Sequence, residues 1–248
     1  MREILSDLVA EEQALDQLLQ RINPRDWHKK KIRNGWTIHE LVSYLSESER
    51  YAYNALAEGG SQLVDFETLG GIEGVRKKAI RVGDGMRSQD IIEVWRGARA
   101  KVIEELFRAN PSVRVPTFNG TMSARTFATA KLVEAWSFAL EIDETIGAEE
   151  EMEDTLRLRH VAWFALASLP YAFRKAGVEY DGTVRLEVMG PKYSKWVLGP
   201  RDSDQVIRGQ ASDWCRIAVG FIQPEDAPTI KTEGDMAATA LELVNVQL

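Results

Sequence analysis

Glu134 is an acid in a place where acids need a reason. It lies in a helical stretch from Met122 to Gly147, on a stripe with Phe127, Ala130, Phe138 and Ile142 that recurs at helical spacing. A carboxylate on a core-facing stripe loses its hydration, so in general it is paired, bound to a metal or protonated. A second chemistry-bearing line follows Thr37, where Leu41, Tyr44, Leu45, Ser48, Tyr51, Ala52 and Ala55 share one helix face. If that face meets the Glu134 stripe, a glutamate and a phenol pointing into one pocket can move protons, the carboxylate as general base or acid and the Tyr44 hydroxyl orienting it or donating a hydrogen bond. Trp36, Trp136 and Phe138 supply aromatic walls for an unsaturated ligand, and Ser48 and Tyr51 complete the expected substrate-binding set.

The elements that position these residues can be read from periodicity and punctuation. Ile4–Ile22 carries Leu5, Leu8, Val9, Leu15, Leu18 and Leu19 at helical spacing and stops at Asn23-Pro24. Thr37-Ile38-His39-Glu40 has the form of a capping box opening a helix to about Ala57, closed by Gly59-Gly60. A short helix is expected near Ile72–Ile80. Ser88 is read as the cap of a helix over Gln89–Ala109, and Ser123 as the cap of the one that ends at Gly147, with Asn119-Gly120-Thr121 a turn before it. These make a helical bundle over residues 1–150.

After the acidic linker Glu149-Glu150-Glu151, a helix is expected over Asp154–Ala176. The period then changes to two, giving strands at Thr183–Met189, Lys195–Leu198, Gln205–Gly209 and Thr229–Thr232, with helices at Ala211–Ile222 and Asp235–Val246. Residues 151–248 therefore read as a smaller α+β domain.

Composition bounds the function. The chain has 248 residues, 44% hydrophobic and 28% charged, enough for a substantial core. Its 31 basic and 38 acidic side chains leave a net charge of -7, which gives no general attraction for nucleic acid or anionic membrane. The run His28-Lys29-Lys30-Lys31 reads as a solvated connector. One cysteine, Cys215, excludes an intrachain disulfide and suits a buried structural thiol. No long apolar run appears and the N-terminus is an acidic amphipathic helix, so a cytoplasmic protein is expected. Three dispersed histidines (His28, His39, His160) disfavour a histidine-rich zinc site and any Ser-His-Asp arrangement. No glycine-rich phosphate loop is present.

The segments GWTIHELVSYLSESE, FNGTMSARTFATAKLVEAWSFALEIDETIG, LRHVAWFALA and VRLEVMGPKYSKWVLGP, in that order, resemble the mycothiol-dependent maleylpyruvate isomerases and related DinB-like proteins. The resemblance implies an α+β protein: a DinB-like four-helix bundle followed by a domain similar to sterol-carrier-protein modules. It also implies a bundle-core metal, usually zinc, held by a histidine in the GW-T segment and by a Glu-x-x-x-His pair. Carried across, those positions are Tyr44, Glu134 and Phe138, so only the glutamate is kept. The family's later aspartate corresponds to Glu141, and its basic residues near the last helices are replaced around Phe221-Ile222.

The expectation is a metal-independent isomerase, lyase or cyclase acting on a conjugated or electrophilic small molecule, with Glu134 and Tyr44 as its acid-base pair and no metal ligands. Natural-product tailoring is one setting for it. Two alternatives stand beside it. In one, Tyr44 merely hydrogen-bonds Glu134 in a degenerate site and the protein binds a small molecule without changing it. In the other, mycothiol is the cofactor of an isomerase or transferase. A homodimer is compatible with each.

Overall fold

The computed structural model describes residues 1–60, 70–147 and 152–246. The expected linker at Glu149–Glu151 lies outside them. Two compact units divide the chain, Met1–Lys131 with Phe138–Glu151 and Leu132–Ser137 with Met152–Leu248. A single long helix contributes residues to both.

The N-terminal unit is built on helices α1 (Arg2–Arg21), α2 (Ile38–Ala57), α3 (Gly71–Gly83) and α4 (Ser88–Arg108). A hairpin of β1 (Arg114–Thr117) and β2 (Gly120–Ser123) follows, and then α5 (Ala124–Ile146). Its core forms where α2 packs against α3 and α4, and α1 against α4. Ile38, Leu41, Val42 and Leu45 meet a layer that includes Ile91, Ile92, Trp95, Val102 and Leu106, all buried. Between α1 and α4 the buried Asp16 takes Arg96 at 2.5 Å and Arg99 at 2.6 Å. Burial alone would raise the Asp16 carboxyl, but the two arginines and Gln20 outweigh it and hold the group below its ordinary range. α3 approaches α2 closely at its end: a Cβ on Gly83 would stand 2.0 Å from Ser43 Oγ, so the contact requires glycine.

Several expected boundaries hold and others move. The capping box at Thr37 is complete: the Thr37 hydroxyl accepts from the Glu40 amide at 3.2 Å, and the Thr37 amide donates to Glu40 Oε2 at 2.7 Å. Ser123 caps α5 by accepting from the Thr126 amide at 3.1 Å. Ser88 does not cap α4. It is the first helical residue, and the preceding Arg87 binds Asp90 instead at 2.8 Å. The turn at Asn119-Gly120 belongs to a strand pair that sequence periodicity did not reveal; Thr117 pairs with Gly120 across Phe118-Asn119.

The second unit contains α6 (Leu158–Ala176), β3 (Arg185–Met189), β4 (Lys195–Leu198), β5 (Val206–Gln210), α7 (Ala211–Ala218), β6 (Lys231–Glu233) and α8 (Asp235–Leu243). α6 begins four residues later than expected, and α7 and α8 end earlier. The sheet order is β4-β3-β5-β6, with β3 and β5 parallel and both outer pairs antiparallel. Leu186 and Val188 alternate into the core, while Glu187 on the opposite face binds Arg185 at 2.9 Å and Arg208 at 2.7 Å. α6 packs against α7 and α8. Trp214 Nε1 donates to the Ala162 carbonyl at 3.2 Å, and the Cys215 thiol lies 3.7 Å from the Leu158 carbonyl. Complete burial pushes that thiol well above its ordinary pKa, which makes it a packing group. No described helix is long and apolar enough to cross a membrane.

Candidate functional site

The capping box fixes where α2 begins, and helical periodicity then sets Tyr44, Ser48 and Tyr51 along one side of it. Each has a different environment. Tyr44 is buried between two rings, edge-on to Trp36 at 5.6 Å between centroids and to Phe138 at 6.0 Å. Trp36 is held by the bridge between Lys31 and Thr37 and is covered on one face by the Arg76 guanidinium, 5.3 Å from its centre. Tyr51 packs against Phe118 of the hairpin turn at 5.8 Å, with Arg50 and Lys78 over its ring at 5.3 and 5.8 Å.

Ser48 is half-buried, and its hydroxyl oxygen accepts from Lys131 Nζ at 3.2 Å. The same ammonium binds Glu49 Oε1 at 2.9 Å; the lysine side chain is 7% exposed and the glutamate 4%. This buried ion pair was not among the expected site residues. Its sequence signal was present, because Lys131 breaks the apolar run FATAKLVEAW just as Glu134 does.

The expectation of a single apolar stripe around Glu134 is corrected. Every residue from Phe127 to Trp136 is buried, so α5 has no polar side in this stretch, and the stripe member Phe138 is only half-buried. Burial on all sides removes the distinction between a core face and a water face. Glu134 itself is 5% exposed. Its backbone carbonyl accepts from the Ser137 hydroxyl at 3.0 Å. Glu134 and the buried Trp136 fall in the segment grouped with the second unit, whereas Trp36, Tyr44, Ser48, Tyr51 and Phe138 belong to the first. Within that first unit the structure brings Trp36, Tyr44 and Phe138 into one aromatic cluster. Ser48 sits with a charged pair instead, and Tyr51 with Phe118 and two cations.

His39 lies away from this cluster, as its helical position implies. It is buried, stacks on His28 at 4.5 Å, and its Nε2–H donates to the Met86 carbonyl at 3.0 Å. Glu141 is engaged at the unit's edge by the Arg33 guanidinium.

The donor set at the positions that the resemblance assigns to a metal is poor. Phe138 has no lone pair to give, and Tyr44 is a phenol wedged between two rings. A catalytic zinc takes three protein ligands, so these residues do not fit one.

A family model described as the mycothiol maleylpyruvate isomerase N-terminal domain matches residues 8–143, and the chain belongs to that family. Two uncharacterized proteins of Mycobacterium tuberculosis, from strains CDC 1551 / Oshkosh and ATCC 25618 / H37Rv, are each 28% identical over 214 residues. The match takes in 85% of this chain and 82% of each relative. The fold matches the crystal structure of a mycothiol-dependent maleylpyruvate isomerase and that of a histidine-to-alanine mutant of it. Both give a TM-score of 0.60 at 16% identity, covering 93% of this chain and 92% of theirs.

Proposed function

We propose that this protein is a small-molecule enzyme of isomerase, lyase or cyclase type that moves protons on a conjugated or electrophilic substrate and uses no metal at the family's ligand positions. One observation carries the reading: two of the three positions are filled by rings packed edge to face, Tyr44 and Phe138, while the third remains a buried carboxylate, Glu134. Membership in an isomerase family supports the reaction type. In this reading Glu134 takes and returns the proton. The Tyr44 phenol donates a hydrogen bond, and Trp36, Trp136, Phe138, Ser48 and Tyr51 line the substrate.

The test compares the native protein with Glu134→Gln, which keeps shape and hydrogen bonding but cannot carry a proton. Maleylpyruvate is the first substrate to try, with and without mycothiol, followed by simple conjugated keto acids. Turnover is expected to fall by about 100-fold or more while the melting temperature stays near that of the native protein. A fully active Gln variant sinks the role of Glu134. A substrate that is retained but never altered by the native protein favours the binding-protein alternative. The family's description favours one further reading, in which mycothiol is the attacking thiol and Glu134 accepts its proton. Turnover that depends on added mycothiol selects it.

A further inference from the structure

Two of the rings assigned to the substrate lining are faced by cations, although the chain carries a net charge of -7. Arg50 and Lys78 stand over Tyr51, and the Arg76 guanidinium stands over Trp36, 5.3 Å from its centre. Arg50 is paired with Glu47 at 2.6 Å along its own helix. Arg76 is less fully engaged. On α3, Val75 and Ala79 turn into the core, so Arg76 leaves the helix at the margin of the buried stripe. Its side chain is 32% exposed, and Trp36 and Phe138 on either side of Tyr44 are only half-buried, so the aromatic cluster is open to solvent at both rings and at the arginine.

The nitrogens of this guanidinium differ in what they meet. Nη1 donates to Glu73 Oε1 at 2.8 Å, an i,i+3 contact with a carboxylate that is itself well exposed. Nε is shielded from solvent and has no acceptor among the described residues, and Nη1 is the one nitrogen that has one. A ring face is a weak acceptor and a surface ion pair adds little to stability. Neither Trp36 nor Glu73 therefore accounts for a charged N–H turned away from water without a partner. The edge that remains, Nε with Nη2, is the two-donor fork that fits a carboxylate.

We infer that Arg76 binds a carboxylate of the substrate through its Nε and Nη2 edge, while the unsaturated part of the same molecule lies against the Trp36 ring. The inference rests on the reading above that Trp36 lines the substrate, and it narrows that substrate to a conjugated carboxylic acid. Glu73 is the positioning residue: it holds Nη1 and so orients the fork. That hold is a single exposed bond on a flexible stem, so the Nε edge turns toward an entering anion without opening the core. A carboxylate fixed there sets the conjugated chain beside Tyr44, whose ring lies 5.6 Å from that of Trp36.

The probe is sorbate, a planar conjugated acid, compared with sorbamide, its neutral counterpart of the same shape. Both are titrated calorimetrically into the native protein and into Arg76→Gln. The native protein is expected to prefer sorbate, and Arg76→Gln to raise the sorbate Kd by about 10- to 100-fold, to the level of sorbamide, as charge-assisted hydrogen bonds are lost. Arg76→Lys is expected to recover only part of the affinity, because an ammonium keeps the charge and loses the two-nitrogen edge. Arg76 is partly exposed, so the Gln variant should melt close to the native temperature. A structural arginine gives the opposite pattern, a lower melting temperature with sorbate binding unchanged. That result overturns the inference, as do equal affinities for sorbate and sorbamide in the native protein, or no binding of sorbate at all. No turnover enters the measurement. A fully active Glu134→Gln protein therefore removes the proton carrier and leaves the carboxylate site standing, and a failure with sorbate leaves the Glu134 test intact.

Discussion

His39 shows how a single buried side chain sets a pH limit. Burial first, and then the charge of stacked His28, hold its imidazole below the ordinary histidine value; the bond to Met86 and the charges of Glu40 and Asp84 only partly oppose this. The unfolded chain binds the proton more readily than the folded one, so stability is lost as pH falls from about 6.5 toward the depressed folded value. Urea unfolding at pH 7.5 and pH 5.5 should show this loss in the native protein and a smaller one in His39→Gln. An equal loss in both would place the acid sensitivity elsewhere. The same scale explains why the ion pair of Lys131 is not legible in the sequence. A lysine in an apolar run can reach water along its flexible stem, and only the 2.9 Å contact with Glu49 shows that this one does not.

At the scale of elements, α2 has the clearest sequence signature and carries much of the candidate site. Its first turn depends on the reciprocal bonds between Thr37 and Glu40, and its side chains then fall in register at Tyr44, Ser48 and Tyr51. Thr37→Ala should cost about 1 kcal/mol in chemical denaturation, since it leaves a helix amide without its acceptor. A neutral result would mean that tertiary packing alone sets the start of α2. The helices were legible because capping residues and the 3.6-residue period are local signals. The β1–β2 hairpin was not, because four-residue strands with exposed ends carry too little alternation to separate them from loop. Ser88 failed as a cap for a related reason: Arg87 and Asp90 satisfy each other across the same turn, and the helix starts one residue earlier.

For the molecule as a whole, the metal is the deciding question. Purified protein should hold well under one zinc per chain, and treatment with a chelator should leave its melting temperature unchanged, because a bound metal stabilises the folded state by mass action. Near-stoichiometric zinc, or a fall in melting temperature on chelation, would restore the metal chemistry that Tyr44 and Phe138 argue against. The sequence by itself determined the α+β class, most helices and the family. All of these are written in residue identity and in local period. Only the tertiary structure decided that Tyr44 is clamped between Trp36 and Phe138, that α5 is buried all round from Phe127 to Trp136, and that Lys131 and Glu49 meet. Lys131 and Glu49 are 82 residues apart, and no local signal specifies which charges will meet once helices distant in sequence pack together.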